Sequence, residues 1–343
     1  MKKKLGLSAV IIGLFILVGC QQKSKETTED SQKAVEEQRL VGDIQEDDVF
    51  VDVSWVKKAL ADQKTIVLEA SYGEGESYEK GHLPKALHMD TMEIETEESH
   101  WNILEAKECE TAFLAKGITK DSQLIVYSED INAAARVAFV AYWLGVDNVK
   151  ILDGGLAAWQ EAGNDLEKGN ETGKKATEFG IAVPARPEYL IKTADDLLAA
   201  QAKNPDLVLA SIRSWEEFTG ETSGYGYIEN AGEPLGAVYA KSSKSSADVA
   251  YLVNADGTIK EPTAIFSEWQ DWGITPDKQV AFYCGTGWRA ATAFFICLQK
   301  GWDNVQLYDG GWYDWDLGHQ KDPSNYPVQV GNPREPETLE IKK

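Results

Sequence analysis

Val280-Ala281-Phe282-Tyr283-Cys284-Gly285-Thr286-Gly287-Trp288-Arg289-Ala290 is the stretch from which the fold is read. Four apolar residues run into a cysteine, and a glycine-rich turn follows. An apolar run from Ala290 to Leu298 then contains neither Gly nor Pro. That order predicts a strand, a tight loop and a helix start. Gly285 and Gly287 let the backbone curl with its N–H groups turned inward, as a nest for an anion. The helix adds its free N–H groups and the positive end of its dipole. A thiol in that cup, with Arg289 at the rim, is expected to react as the thiolate. The plainer alternative is a buried structural cysteine, since free Cys is among the most buried residue types.

Working outward, the same pattern is found a second time. Gly117–Trp159 and Gly273–Trp315 align without a gap at an offset of 156, with 17 identities in 43 positions. Tyr127 matches Tyr283, Asp147-Asn148-Val149 matches Asp303-Asn304-Val305, and Asp153-Gly154-Gly155 matches Asp309-Gly310-Gly311. So long a period means a duplicated domain, not a solenoid repeat. Within the first copy, short apolar runs at 65–68, 124–127 and 149–152 alternate with helical patterns at 53–61, 109–115 and 133–144. Alternation of this kind predicts an α/β unit with a largely parallel sheet. Cys284 falls on Ser128, Gly285 on Glu129, Gly287 on Ile131 and Arg289 on Ala133. The first copy keeps the scaffold and lacks the thiol, both loop glycines and the arginine. Its expected role is to wall one side of a cleft.

The chain of 343 residues is long enough for two domains with real cores. Lys2-Lys3-Lys4 precedes an apolar stretch, Leu5 to Val18, too short for a confident membrane span. It ends in Leu17-Val18-Gly19-Cys20, which resembles the lipobox of bacterial lipoproteins. The resemblance implies cleavage before Cys20, a lipid on that cysteine and an extracytoplasmic, membrane-anchored protein. An ordinary signal peptide is the alternative. The formal net charge is −22, and loss of residues 1–19 would remove three lysines and no acid. Nucleic acid and anionic head groups should be repelled, and an anionic substrate must be drawn in by local charge. The membrane contact expected is the N-terminal lipid alone.

Without Cys20, the cysteines at 109, 284 and 297 are odd in number and form no C-x-x-C pair. No disulfide framework or zinc signature follows. His82, His88, His100 and His319 form no ligand pair, so no metal site is expected. Cys297 lies in an apolar helix and reads as core, and Cys109 has no evident role.

At this point a family is recognisable. The Asp-Gly-Gly-x-x-x-Trp endings, Gly81-His82-Leu83-Pro84-Lys85-Ala86 and the Cys284–Arg289 loop resemble tandem-domain rhodaneses, sulfurtransferases of the thiosulfate and mercaptopyruvate type. The loop is similar to that of an exported branch of these enzymes. The resemblance runs from about Val49 to Gly331 and implies two tandem rhodanese-like domains, each a largely parallel sheet flanked by helices. The expected organisation is a lipoprotein signal peptide at 1–19, a flexible tether at 20–47, an inactive domain at 48–168, a linker at 169–188, a catalytic domain at 189–330 and a tail at 331–343. Arginine stands five residues after Cys284, where related cysteine phosphatases have six. The smaller ring suits a sulfur atom better than a phosphoryl group.

The chemistry implied is transfer of sulfane sulfur from thiosulfate or 3-mercaptopyruvate, through a Cys284 persulfide, to cyanide or a thiol, without a cofactor. Cys284 and Arg289 carry it. Gly285, Thr286, Gly287 and Trp288 surround the sulfur, and Arg213 is implied as the ligand of the donor's oxyanion. The alternative for Arg213 is a surface salt bridge to Glu216 or Glu217, and for Trp288 plain packing. A non-catalytic persulfide carrier or redox sensor is the rival function. Two departures bear on the donor: Ser211 stands where the family often has an acid, and Gly232-Glu233-Pro234-Leu235-Gly236-Ala237 replaces Gly-His-Ile-Pro-Gly-Ala. The polar segment from Thr222 to Lys260 reads as a substrate-side loop or lid.

Overall fold

In the first repeat, β1 (Phe50–Val51), β2 (Thr65–Ser71), β3 (Ala86–Asp90), β4 (Gln123–Tyr127) and β5 (Asn148–Leu152) alternate with α1 (Val53–Ala59), α2 (Glu76–Lys80), α3 (Ala106–Ala115), α4 (Ile131–Leu144) and α5 (Gly155–Glu161). The second repeat carries strands β6 (Leu190–Ile191), β7 (Val208–Ser211), β8 (Glu233–Pro234), β9 (Val238–Tyr239), β10 (Val280–Tyr283) and β11 (Val305–Tyr308). Its helices are α6 (Ala194–Lys203), α7 (Trp215–Phe218), α8 (Pro262–Gln270), α9 (Trp288–Gln299) and α10 (Gly311–Lys321). β12 (Val328–Val330) and β13 (Glu340–Lys342) close the chain. The computed structural model describes residues 48–343; the stretches expected as signal peptide and tether, with Cys20, lie outside the described residues. Among the described residues no helix is long and apolar enough to cross a membrane.

Two five-stranded sheets result, ordered β1-β5-β4-β2-β3 and β6-β11-β10-β7-β9, and every pairing in them is parallel. β4 and β10 are the middle strands. Their carboxyl ends therefore open onto the edge where open α/β sheets hold ligands.

Each middle strand feeds a helix that is apolar on nearly all sides, α4 and α9. Ala133, Ala134, Ala135, Ala138 and Ala141 give α4 high helix propensity and a smooth surface. A helix with no polar face must be buried all round, and α4 and α9 meet that need by packing on each other. Phe139 meets Phe294 edge-on at 5.0 Å, and both are fully buried in one core shared by the repeats. Burying a Phe is worth roughly 1.5–3 kcal/mol. The duplicated halves are held together where their loops are made.

The repeated Asp-Gly-Gly has a local cause. Gly155 and Gly311 lie at φ +56° and +58°, and a Cβ on Gly311 would sit 2.7 Å from the Cys284 carbonyl oxygen. The next residue then donates its N–H to the loop, Leu156 to Ser128 O at 3.2 Å and Trp312 to Cys284 O at 2.8 Å. Only a glycine lets the backbone come that close.

Past α5 the connecting chain runs along the first repeat. Ala176 N donates to Leu114 O and Ala185 N to Leu144 O, while Phe179 O accepts from Lys120 N. The stretch expected as a tail also carries structure, since β13 pairs antiparallel with β12. Glu340, Ile341 and Lys342 are all exposed, so no burial pattern advertised the strand.

Candidate active site

β10 delivers Cys284 to the carboxyl edge of the second sheet, and the chain turns through Gly285–Gly287 into α9. Gly287 caps that helix at φ +87°. A Cβ there would lie 2.6 Å from Arg136 Nη1 and 2.8 Å from Asp309 Oδ1. The amides of the first helical turn, starting at Trp288, have no acceptor within their own helix and carry the positive dipole end. In the first repeat the matching helix is closed by its own chain. Asp130, in register with Thr286, accepts from Asn132 N at 2.9 Å, and Ser128 Oγ accepts from Asp130 N at 3.0 Å. The first loop is thus filled by a carboxylate and a committed hydroxyl.

Arg289 turns inward and is nearly fully buried. Glu217 grips it with both oxygens, at 3.0 Å from Nη1 and 2.9 Å from Nη2. Ser245 O and the Tyr225 hydroxyl complete the contacts of its two terminal nitrogens. Burial works against the charge of Glu217, but Arg289, Arg213 and the Ser214 amide outweigh it and hold this carboxyl below the usual range. The paired charges cancel on the spot.

Arg213 lies one layer deeper and does not line the cavity described below. Its guanidinium reaches Glu217 at 3.3 Å, Glu233 at 3.0 Å, Gly232 O at 2.6 Å and Ser223 O at 2.8 Å. Arg213, implied by the resemblance as the ligand of the donor's oxyanion, is buried behind the cavity wall with four hydrogen bonds to protein acceptors. The surface salt bridge is corrected, because the pair with Glu217 is buried.

The departure at Gly232–Ala237 has a physical reason. In the first repeat Leu83 N donates to the Tyr127 hydroxyl at 3.0 Å. Pro234 stands in Leu83's place and has no N–H, and the matching Tyr283 hydroxyl bonds to Glu233 instead. Ser211, found where an acid was expected, donates to the same Glu233 at 3.0 Å. Burial pushes Glu233 up to about 7, against the pull of Arg213, Tyr283 and Ser211.

The Thr222–Lys260 segment folds over the loop. A Cβ on Gly285 would clash with Tyr225 Cε2 and lie only 2.6 Å from its hydroxyl oxygen, and that hydroxyl accepts from Arg289 Nη2 at 2.8 Å. Cys284 is fully buried beneath this cover. A cavity of about 350 Å³ bounded by both repeats opens at Thr286, Trp288 and Arg289 of the loop, and Cys284 itself does not line it. The first repeat supplies Tyr72, Glu95, Trp101, Asp130 and Asn132. The second supplies Tyr225, Tyr227, Thr286, Trp288 and Arg289, with Ser246 and Ala247. Trp288 therefore walls the cavity, and its indole also donates to Glu95 Oε1 at 2.5 Å.

That contact is part of a link between the repeats. Arg136 bonds Asp309 Oδ1 at 2.5 Å, Glu95 Oε2 at 2.8 Å and Trp101 O at 3.0 Å. Trp101 itself sits at φ +61°, a conformation uncommon for a bulky residue and frequent at functional sites. Burial raises Glu95 to about 7, against Arg136 and Trp288. Sequence reading missed Glu95 and Arg136 as contributors, and it paired Glu217 with Arg213 but not with Arg289; a lone arginine inside the alanine run of α4 was the available signal.

Cys297 packs in the shared core, and Cys109 in the first repeat is buried as well. Burial pushes the Cys109 thiol up to about 12. Among the described residues no group of three His, Cys, Asp or Glu is arranged to hold a metal ion.

A family model for the rhodanese-like domain matches residues 52–162 and 193–317. Thiosulfate sulfurtransferase YnjE of Escherichia coli is 41% identical over 268 residues, which is 77% of this chain and 59% of that protein. The chain thus spans less than two thirds of that relative's length. Sulfur carrier protein TtuD of Thermus thermophilus is 28% identical over 273 residues, 78% of this chain and 93% of that one. Among solved structures, an EanB variant with a cysteine persulfide in a tetrahedral intermediate state with ergothioneine superposes with a TM-score of 0.77 at 32% identity. The match covers 83% of this chain and 71% of that one.

Proposed function

The chain belongs to the rhodanese-like domain family, and from that premise we propose that it is a sulfurtransferase working through a persulfide on Cys284. The observation that carries the reading is the placement of Cys284: a cysteine at the carboxyl end of the middle strand, turned by glycine into a helix N-terminus beside a cavity. In the first half-reaction the Cys284 thiolate attacks the outer sulfur of thiosulfate or a related donor. An S–S bond forms, the bond to the sulfonate sulfur breaks, and sulfite leaves with its electron pair. The first-turn amides of α9 stabilise the terminal sulfur of the persulfide. In the second half-reaction an acceptor nucleophile takes that sulfur, and the electron pair of the breaking bond returns to Cys284. Arg289, held by Glu217, fixes the loop's curvature and adds little net charge.

Steady-state thiocyanate formation from thiosulfate and cyanide tests this. Parallel double-reciprocal lines are expected of double displacement, with no turnover by Cys284→Ser. Intersecting lines, or activity without the thiol, would refute it. A second reading is a persulfide carrier. It is favoured by the complete burial of Cys284 and by the likeness to a protein named a sulfur carrier. Stable loading without turnover on small acceptors would decide for it.

The lipobox-like Leu17-Val18-Gly19-Cys20 supports export and a lipid anchor at Cys20, with the catalytic unit outside the cytoplasm. Mass spectrometry of the mature N-terminus tests this, with an acylated Cys20 as the expected first residue.

A further inference from the structure

His88 stands on β3 of the first repeat, apart from the Cys284 loop, and its two ring nitrogens face two acceptors. Nδ1 lies 2.8 Å from Glu69 Oε2 and Nε2 lies 3.0 Å from Gly73 O. A carboxylate and a carbonyl oxygen only accept. A neutral imidazole has one N–H and serves one of them, whereas the imidazolium serves both. Tyr78 of α2 faces the ring at 5.5 Å between centroids, but its hydroxyl donates to Ala86 O. Lys116, just past α3, opposes the charge and is itself paired with Glu93 at 2.8 Å. Burial works hardest against the imidazolium, yet the bonds to Glu69 and Gly73 outweigh it and raise His88 above its ordinary value of 6.5.

The charge is spent on a turn that carries part of the cavity wall. His88 and Asp90 lie two residues apart, on one face of β3, and between them they hold the backbone of Gly73. Asp90 Oδ1 accepts the Gly73 N–H at 2.9 Å, and His88 bonds the Gly73 carbonyl. Gly73 and Gly75 lie at φ +89° and +80°. A Cβ on Gly75 would fall 2.9 Å from His88 Cδ2, so the ring also packs under the turn. Tyr72, immediately before Gly73, lines the cavity and meets Trp101 at 6.2 Å, although it is 65% exposed. With so little packing of its own, the Tyr72 ring takes its place from the backbone that carries it.

We propose that His88 is a positioning residue for the cleft: as imidazolium it pins the Tyr72–Gly75 turn, and with it the Tyr72 wall of the cavity, and it releases the turn on giving up its proton. Its bearing on sulfur transfer rests on the persulfide reading; the pinning itself does not. The last proton stays on Nδ1, against the charged acceptor, because the charge-assisted bond is the stronger. The bond to Gly73 O is therefore the one lost. The turn is fully held below the unfolded histidine value of ~6.5 and is freed as pH rises through the higher value of the folded chain.

The chain has four histidines, so side-chain NMR of the full chain follows each one, and His88→Gln identifies the signal. His88 is expected to titrate above ~6.5, and Glu69→Gln should lower its midpoint. Exchange of the Gly73 amide, corrected for its intrinsic pH dependence, should quicken by about tenfold or more across that midpoint. His88→Gln should show no such step. The ratio of wild-type to His88→Gln rates of persulfide discharge to 2-mercaptoethanol cancels the titrations common to both, those of Cys284 and the thiol among them. That ratio should fall through the His88 midpoint. A midpoint at or below ~6.5, Gly73 exchange without a step, or a flat ratio overturns the proposal. Failure of Cys284 to take up sulfur is a different result: it removes the persulfide reading, while the NMR and exchange measurements still decide whether His88 pins the turn.

Discussion

Ile103 donates its backbone N–H to Asp309 Oδ2 at 2.6 Å, across the boundary between the repeats. The relation is reciprocal: Ile259 N donates to Asp153 Oδ1 at 2.8 Å, and both partners differ by the same offset of 156. Each Asp-Gly-Gly turn thus presents its aspartate to the other repeat while its second glycine packs under its own loop. Stability and the geometry of the Cys284 loop share these residues.

Arg136 is the addition that breaks the symmetry, since its counterpart is Thr292, which bonds Asn132 at 2.9 Å. Arg136→Met leaves Asp309 and Glu95 as buried carboxylates without their cation. A loss of about 3–5 kcal/mol is expected, measured by urea unfolding. A change under about 1 kcal/mol would mean that the cluster is solvated.

Glu217 joins Arg289 to Arg213 and is almost fully buried. Glu217→Gln keeps the shape and strands Arg289, while Arg213 retains Glu233. Unfolding should come earlier by about 3–5 kcal/mol, and persulfide loading should slow even under conditions where the variant is fully folded. Loading at the unaltered rate would remove Glu217 from the account of the loop.

Gly285 and Tyr225 should couple. Gly285→Ala forces the phenol ring aside and is expected to cost about 1–3 kcal/mol as overpacking. In a Tyr225→Ala background that cost should nearly vanish, giving an interaction energy above about 0.5 kcal/mol in a double-mutant cycle. Additive effects would show that the ring does not rest on the loop.

Glu233 and Glu95 are both raised to about 7 by burial, whereas an unfolded glutamate titrates near ~4.3. Between these values the native state binds more protons than the unfolded state. The stability contributed by the protonated carboxyls is complete below about 4.3 and is lost as pH rises toward about 7. Thermal midpoints should therefore fall across that window, and Glu233→Gln should flatten the slope. A slope unchanged in the variant would contradict the assignment.

The Val280–Ala290 stretch and its echo at offset 156 made both parallel sheets legible, because a strand, a tight turn and an apolar helix write themselves locally. The turn from β10 into α9 was legible for the same reason, with Gly287 at its helix start. What escaped was long-range. Glu95 and Arg136 lie 41 residues apart, and Arg136 and Asp309 lie 173 apart, so no local pattern announces their meeting. The pairing of Arg213 with Glu217 and Glu233 was only half legible, because Glu233 stands 20 residues on in sequence. Pro234 was visible as a departure, but its meaning, a missing N–H for Tyr283, needed the register of β8.

The central claim is that sulfur rides on Cys284, and intact-protein mass spectrometry after incubation with thiosulfate tests it most directly. The account predicts an adduct of about +32 Da, one sulfur atom, located at Cys284, absent in Cys284→Ser and removed by cyanide as thiocyanate. Loading that stays in Cys284→Ser, or no adduct from thiosulfate or mercaptopyruvate under conditions where the chain is folded, would contradict it.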